Sequence, residues 1–336
     1  MATNEILISS PFDAHVHFRQ GEMLRHVVPL TVATFSGALV MPNTDPIVAT
    51  LDQAVRYRRE ILEAAGSPQE ERFRAFVTLF FQTSMTLASL HEAAGFITSV
   101  KFYPKSMTTN SVHGVDPDDP AILPVLAAME ELDIPLNVHA EAAGYHEDRE
   151  KKFGRYVRRW VRSFPRLKIV VEHISDRQSL ELLSFPNVYA TVTPQHLLLT
   201  GDDWVGPPLR PHLYCLPAIK RPEDRDDILR ACTSWLSRKF MAGTDSAPHI
   251  VSRKLECGCA GVFTAPIALQ LYAQAFDRVG SLDRLPFFLG GNARRIYGID
   301  LPERTVRLVR EPFVVPVVYG DVVPMWAGET LDWSVA

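Results

Sequence analysis

The sequence predicts a (β/α)8 barrel of parallel strands with a C-terminal extension packed on its body, and three observations carry that expectation. Short apolar segments rich in Val, Ile and Phe recur along the chain with helix-like sequence between most of them, the rhythm of repeated βα units. Eight such segments can be counted, at residues 6–18, 37–42, 73–81, 97–103, 134–139, 168–173, 188–193 and 239–243. The length of 336 residues holds the roughly 250 residues typical of such a barrel. Residues 1–336 read as one domain, with about 300–336 as the extension.

Taken in order, residues 51–65 form a helix begun after Thr50, with Asp52 in its first turn and an end near Gly66. Residues 153–164 place Phe153, Tyr156, Val157, Trp160, Val161 and Phe164 on one apolar face that should pack on the barrel. The opposite side carries Arg155, Arg158, Arg159 and Arg162, which reads as the solvated face of an amphipathic helix in preference to a dock for an anionic partner. Prolines cluster at 302–324, yet Phe313, Val314, Val315, Val317, Val318 and Tyr319 argue that this tail packs on the body.

Composition removes several function classes. Lys+Arg number 35 against 39 Asp+Glu, so no global field draws the chain to nucleic acid or an anionic membrane. No apolar run approaches the roughly 20 residues of a membrane span, and the N-terminus lacks a basic stretch followed by an apolar one. The expectation is a soluble cytoplasmic protein with a small-molecule partner. Cys215, Cys232, Cys257 and Cys259 are few for this length and are expected as reduced thiols.

In such a barrel, side chains at the C-terminal ends of the strands converge on one site. The first strand ends in Asp13-Ala14-His15-Val16-His17, and histidines at i and i+2 on a strand point the same way, so both imidazoles can meet one ion. The fifth ends at His139, the sixth at His173, and the eighth leads into Thr244-Asp245, adding two imidazoles and a carboxylate. His26, His91, His146 and His212 fall in helix or loop stretches and read as surface or structural groups. Lys101, at the end of the fourth strand, is an amine among metal ligands. Either carbon dioxide converts it to an anionic carbamate able to bridge two ions, or an acidic neighbour pairs it.

The motifs His15-Val16-His17-Phe18-Arg19, Met41-Pro42-Asn43, Val100-Lys101-Phe102-Tyr103-Pro104, Thr108-Thr109-Asn110, Glu172-His173, Arg210 to Pro217 and Gly243 to His249 together resemble those of the dihydroorotases. The similarity is closest to the short, monofunctional class of the amidohydrolase superfamily. It runs in order from Asp13 to Met325-Trp326-Ala327-Gly328-Glu329-Thr330. The resemblance implies reversible cyclisation of N-carbamoyl-L-aspartate to L-dihydroorotate with loss of water, a step of de novo pyrimidine biosynthesis. It implies two zinc ions per subunit, one held by His15, His17, Lys101 and Asp245 and the other by Lys101, His139 and His173, bridged by carboxylated Lys101 and a hydroxide. Asp245 would shuttle the proton.

The substrate carboxylate would meet Arg19, Asn43 and His249, with Leu216 and Ala260 as backbone contacts to the ring. Thr108 and Thr109 would act from a loop at 105–115 that closes over substrate. His139-Ala140-Glu141 departs from the family pattern, in which a glycine often follows the histidine. Cys257-Gly258-Cys259 lacks the spacing of a structural zinc site and reads as a close-packed loop near the mouth. Members of the class commonly form homodimers. Hydantoinase-like relatives build a β-sandwich partly from residues before the HxH strand, for which there is no room here. Two alternatives stay open: another cyclic amidase, such as a hydantoinase or allantoinase, and a catalytically inactive homologue.

Overall fold

The computed structural model describes residues 4–336. After β1 (Glu5–Ser9), eight parallel strands lie side by side in chain order: β2 (Phe12–Val16), β3 (Gly37–Val40), β4 (Arg74–Phe80), β5 (Ile97–Phe102), β6 (Leu136–Val138), β7 (Ile169–Val171), β8 (Val188–Val192) and β9 (Phe240–Ala242). A parallel bridge between Val16 and Ser246 brings the end of β9 back onto β2. There Asp245 N donates to His15 O at 2.8 Å and His17 N to Ser246 O at 3.1 Å. The chain therefore adopts the expected barrel. β3, β7 and β9 are continuous apolar runs because helices cover one face and the barrel interior the other.

The first expected strand, 6–18, is in fact two. Ser10 sits at φ 47° and is followed by Pro11, which has no N–H to give a ladder. Ser10 N and Oγ instead bond Arg304 O and Pro302 O at 2.6 and 3.0 Å. β1 thus leaves the barrel and pairs antiparallel with β10 (Thr305–Val309), whose other edge takes β13 (Ser334–Val335). β11 (Phe313–Val314) and β12 (Thr330–Leu331) form a second small pair. The tail does pack on the body, but through other residues than its apolar stretch suggested. Val315, Val322, Met325, Leu331 and Trp333 are buried, whereas Val314, Val317 and Val318 are exposed. Arg310 binds Asp277 at 2.6 and 2.8 Å while lying over the Trp333 ring.

Helix Leu51–Ala64 begins in a capping box between Thr50 and Gln53 and stops before Gly66, at φ 61°. Helix Arg149–Ser163 buries Phe153, Tyr156, Val157, Trp160 and Val161. On its outer side Arg155 and Arg159 face Asp118 and Arg158 contacts Glu181, a solvated face with acidic partners. Below the mouth, Phe12, Leu39, Val170 and Met241 meet Ala293 and Ile296 of helix Asn292–Tyr297, forming an apolar plug in the barrel floor. Among the described residues no helix is long and apolar enough to cross a membrane.

Two buried polar groups tie the loops above the barrel together. Glu150 accepts Ser175 N at 3.0 Å and contacts Lys220, whose Nζ also reaches Ser175 Oγ at 2.5 Å. Removing one partner of a buried, hydrogen-bonded pair leaves an uncompensated charge. Lys220→Met should therefore lower unfolding free energy by about 3–5 kcal/mol, read from urea denaturation; a loss near zero would mean that Glu150 is solvated.

His196 lies on helix Pro194–Leu198, accepting at Nδ1 from Thr193 Oγ1 at 2.8 Å and donating from Nε2 to Pro217 O at 3.1 Å. Burial pushes its pKa down to about 4 from 6.5. The neutral ring's contribution is complete above pH 6.5 and is lost as pH falls toward 4. That is about 3 kcal/mol at 1.36 kcal/mol per unit. His196→Asn should flatten this acid limb of stability against pH; an unchanged slope would show that the ring protonates freely in the fold.

Candidate active site

The groups expected at the strand ends do converge. His15 Nε2 and His17 Nε2 are 3.3 Å apart, and each lies beside Asp245 Oδ1, at 3.3 and 3.0 Å. His139 Nδ1 and His173 Nε2 are 3.2 Å apart. The His15 and His173 rings are 5.1 Å apart between centroids, so the two pairs adjoin. Lys101 lies fully buried beside them.

Local backbone explains the convergence. Asp13, buried at the start of the motif, accepts Thr244 N at 2.8 Å and Thr244 Oγ1 at 2.6 Å, so the ends of β2 and β9 are stitched together. Burial raises the Asp13 carboxyl to about 6 against these hydrogen bonds. Gly243 passes so close that a Cβ there would sit 2.8 Å from Thr191 Cβ and 2.9 Å from His15 Cβ. Arg19, His173 and Asp245 all take positive φ, at 60°, 44° and 45°. This is costly for residues with side chains and is found where surrounding contacts impose a functional geometry. His173 N donates to Thr191 Oγ1 at 2.8 Å and Tyr57 Oη to Arg19 O at 2.9 Å, two of those contacts.

Electrostatics follows from burial. Desolvation pushes His15 down, holds His17 at about 4 and drives His173 well below its ordinary range, so the rings are neutral and their nitrogens carry lone pairs. Burial alone would raise Asp245, but the adjacent His15 and His17 reverse that and keep it ionised. Ring nitrogens 3.2–3.3 Å apart, one pair of them beside a carboxylate, are the donor set a divalent cation satisfies. Two triads fit that description, His15 with His17 and Asp245, and His15 with Glu172 and His173.

A narrow cavity of about 20 Å³ opens over this cluster. It is lined by His15, His17, His139, His173 and Asp245, and by Arg19, Asn43, Thr108, Thr109, Leu216 and Ala260. Lys101 lies beneath it. His249 stands behind Arg19, its Nε2 2.9 Å from Arg19 Nη2 and 3.0 Å from Ala260 O. The loop at 105–115 is folded over the opening: Asn43 Nδ2 donates to Thr109 O and Asn110 Nδ2 to Asn43 O, both at 3.1 Å. Asn43 thus pins the loop in addition to facing the cavity.

Several residues were not singled out from the sequence. Tyr103, Ala247 and Gly261 also line the cavity. Glu141 Oε2 lies 2.7 Å from His139 Nε2, which turns the other ring nitrogen toward His173. Glu172 Oε1 lies 3.0 Å from His15 Nδ1, and its Oε2 contacts Lys101 Nζ. The unmodified lysine is thus paired by an acidic neighbour, while burial drives its ammonium well below the usual range. The expectation of four reduced thiols is corrected. Gly258, left-handed at φ 57°, reverses the chain after helix Val251–Cys257 and brings Cys257 and Cys259 to a Cα separation of 5.2 Å, where they form a disulfide. Cys215 and Cys232 are free and buried. The CxC segment itself is largely exposed at the rim.

Comparison with known proteins agrees with this geometry. A family model described as amidohydrolase matches residues 12–213. The dihydroorotase of Halorhodospira halophila is 42% identical over 341 residues, covering 98% of each chain. The crystal structure of dihydroorotase from Campylobacter jejuni is similar with a TM-score of 0.92 at 37% identity, covering 100% of this chain and 98% of that one. The Saccharomyces cerevisiae dihydroorotase, in complex with 5-fluoroorotic acid, gives 0.91 at 31% identity over 99% of each. The matches extend over nearly the full chain length, and the protein belongs to the amidohydrolase family and, within it, to the dihydroorotases.

Proposed function

We propose that this chain interconverts N-carbamoyl-L-aspartate and L-dihydroorotate, using two zinc ions held by His15, His17, carboxylated Lys101, His139, His173 and Asp245. The observation that carries the reading is one cavity joining a buried cluster of imidazoles to a guanidinium clamp. When bound, divalent ions supply Lewis acidity toward a carbonyl and lower the pKa of water.

The chain's own residues do the rest. Asp245 remains ionised and faces the cavity, so in the hydrolytic direction it accepts a proton from the attacking water and passes it to the departing ring nitrogen. Cyclisation reverses the transfer. Arg19, fixed by Tyr57, by Pro248 O at 3.2 Å and by His249, offers its remaining N–H groups to the substrate carboxylate. Asn43 completes the clamp. Leu216 and Ala260 present backbone to the ring, and Thr108 and Thr109 close above it, excluding water. As the family resemblance implies, the enzyme works as a cytoplasmic homodimer.

Purified protein should consume dihydroorotate, followed by absorbance, with close to two zinc ions per chain by the resemblance, and chelation should abolish turnover. Inactivity of fully metal-loaded protein toward dihydroorotate would move the assignment to another cyclic amide. Two substitutions separate chemistry from binding. Asp245→Ala should lower kcat by about 10²–10⁴-fold while leaving part of the metal. Arg19→Met should raise KM by about 10–100-fold, the value of a charged hydrogen bond, with a smaller change in kcat. Full turnover in the first, or equal affinity in the second, removes that residue from its role.

A further inference from the structure

Glu172 faces two ways. Its Oε1 lies 3.0 Å from His15 Nδ1 and accepts from Asn137 Nδ2 at 2.7 Å, while Oε2 contacts Lys101 Nζ. Asn137 stands in register with Lys101 on the neighbouring strands β5 and β6. The same Nδ2 reaches Tyr297 Oη at 2.8 Å. Tyr297 ends the helix whose Ala293 and Ile296 plug the barrel floor. A column of polar contacts therefore crosses an apolar interior from the floor to Lys101. Its three inner members, Asn137, Glu172 and Lys101, have no solvent exposure. Lys101 Nζ and Glu172 Oε2 have no hydrogen-bond partners among the described residues, leaving each facing the other.

We propose that Glu172, held by Asn137 and Tyr297, is the positioning residue for carboxylation of Lys101; this rests on the reading of Lys101 as a carboxylated lysine given above. In that reaction the Nζ lone pair of the neutral amine forms the N–C bond to carbon dioxide and one C–O π pair moves onto oxygen. One Nζ proton leaves to solvent, and one N–H remains on the carbamate. That N–H is buried, and Glu172 Oε2 is the acceptor placed to receive it. With the N–H fixed on the Glu172 side, the new carboxylate is directed away from Glu172, toward the imidazoles. Oε1 meanwhile stands 3.0 Å from His15 Nδ1, and His15 Nε2 lies 3.3 Å from Asp245 Oδ1. One carboxylate thereby adjoins two ligands.

Glu172→Gln separates these duties. Its Oε1 can still accept from Asn137, but an NH2 group replaces the acceptor opposite Lys101. The test titrates full-length, zinc-loaded protein with 13C-bicarbonate and follows the carbamate carbon by NMR, with zinc content measured in parallel. In Glu172→Gln the bicarbonate concentration for half-labelling should rise roughly tenfold, the effect of one unsatisfied buried donor. Tyr297→Phe, which touches no ligand and leaves the carboxylate intact, should shift the midpoint in the same direction by less. Wild-type midpoints in both variants would overturn the proposal. A wild-type protein that takes up no label would overturn the carboxylation reading and this inference with it, whereas a labelled wild type beside an equally labelled Glu172→Gln overturns this inference alone.

Discussion

The structure depends on one electrostatic constraint: four imidazoles, an amine and three carboxylates, Glu141, Glu172 and Asp245, are packed together and largely buried. In such a medium each lone pair and charge must be met by a neighbour or by a cation, because an unmet one costs several times what a hydrogen bond returns. The arrangement around His15 shows how this is handled. Its Nδ1 faces Glu172, its Nε2 faces Asp245, and the His17 and His173 rings stand 5.2 and 5.1 Å from it between centroids. Outside the ring, Glu172 stands 3.0 Å from His15 Nδ1, and Glu141, 2.7 Å from His139 Nε2, turns the other nitrogen of that ring inward. The cluster is thus backed by acids.

Closing the barrel and building the site are the same event. The seam between β2 and β9 is made by Asp13 with Thr244, by Asp245 N with His15 O and by the Val16–Ser246 bridge. These are the residues of the ligand motifs or their immediate neighbours. Positive φ at Arg19, His173 and Asp245 turns each side chain out of its strand direction into the mouth. That conformation persists because backbone and side chain are both held, as by Tyr57 on Arg19 O and Thr191 on His173 N. Gly243 is required for a simpler reason, since any side chain there would occupy the space of His15 and Thr191.

Most of this was legible in the sequence, and what was not has a physical pattern. The strands and the ligands at their ends could be read because period-2 geometry sends i and i+2 to one side, and because a parallel barrel collects all strand ends at one mouth. The break between β1 and β2 was hidden inside an apolar run, although Pro11, which cannot donate to a ladder, was its local sign. The tail's packing was foreseen, but its buried members were not, because which of its valines faces the body depends on pairings such as Val314 with Thr330 and Val315 N with Glu329 O, which form only once the tail folds back on itself. Glu172 stood in a quoted motif yet carried no role. Its partners Asn137 and Tyr297, the latter 160 residues beyond Asn137, are neighbours only once the barrel forms. The Cys257–Cys259 link likewise depends on a left-handed Gly258 that spacing alone does not disclose.

Two buried lysines in the same barrel show how the fold separates structure from chemistry. Lys220 is enclosed with Glu150 and Ser175, each of which has further partners, and although burial alone would lower its pKa, Glu150 raises it. Its charge is fully answered, and it ties three segments above the barrel. Lys101 is buried as deeply, but burial prevails and drives its ammonium well below the ordinary range. The one acid beside it, Glu172, already serves His15 and Asn137 through its other oxygen. Lys101 is thus placed among imidazoles with one shared acceptor and the cavity above. The same residue type is a charged tie where an acid answers its burial and is held below its ordinary range where burial prevails.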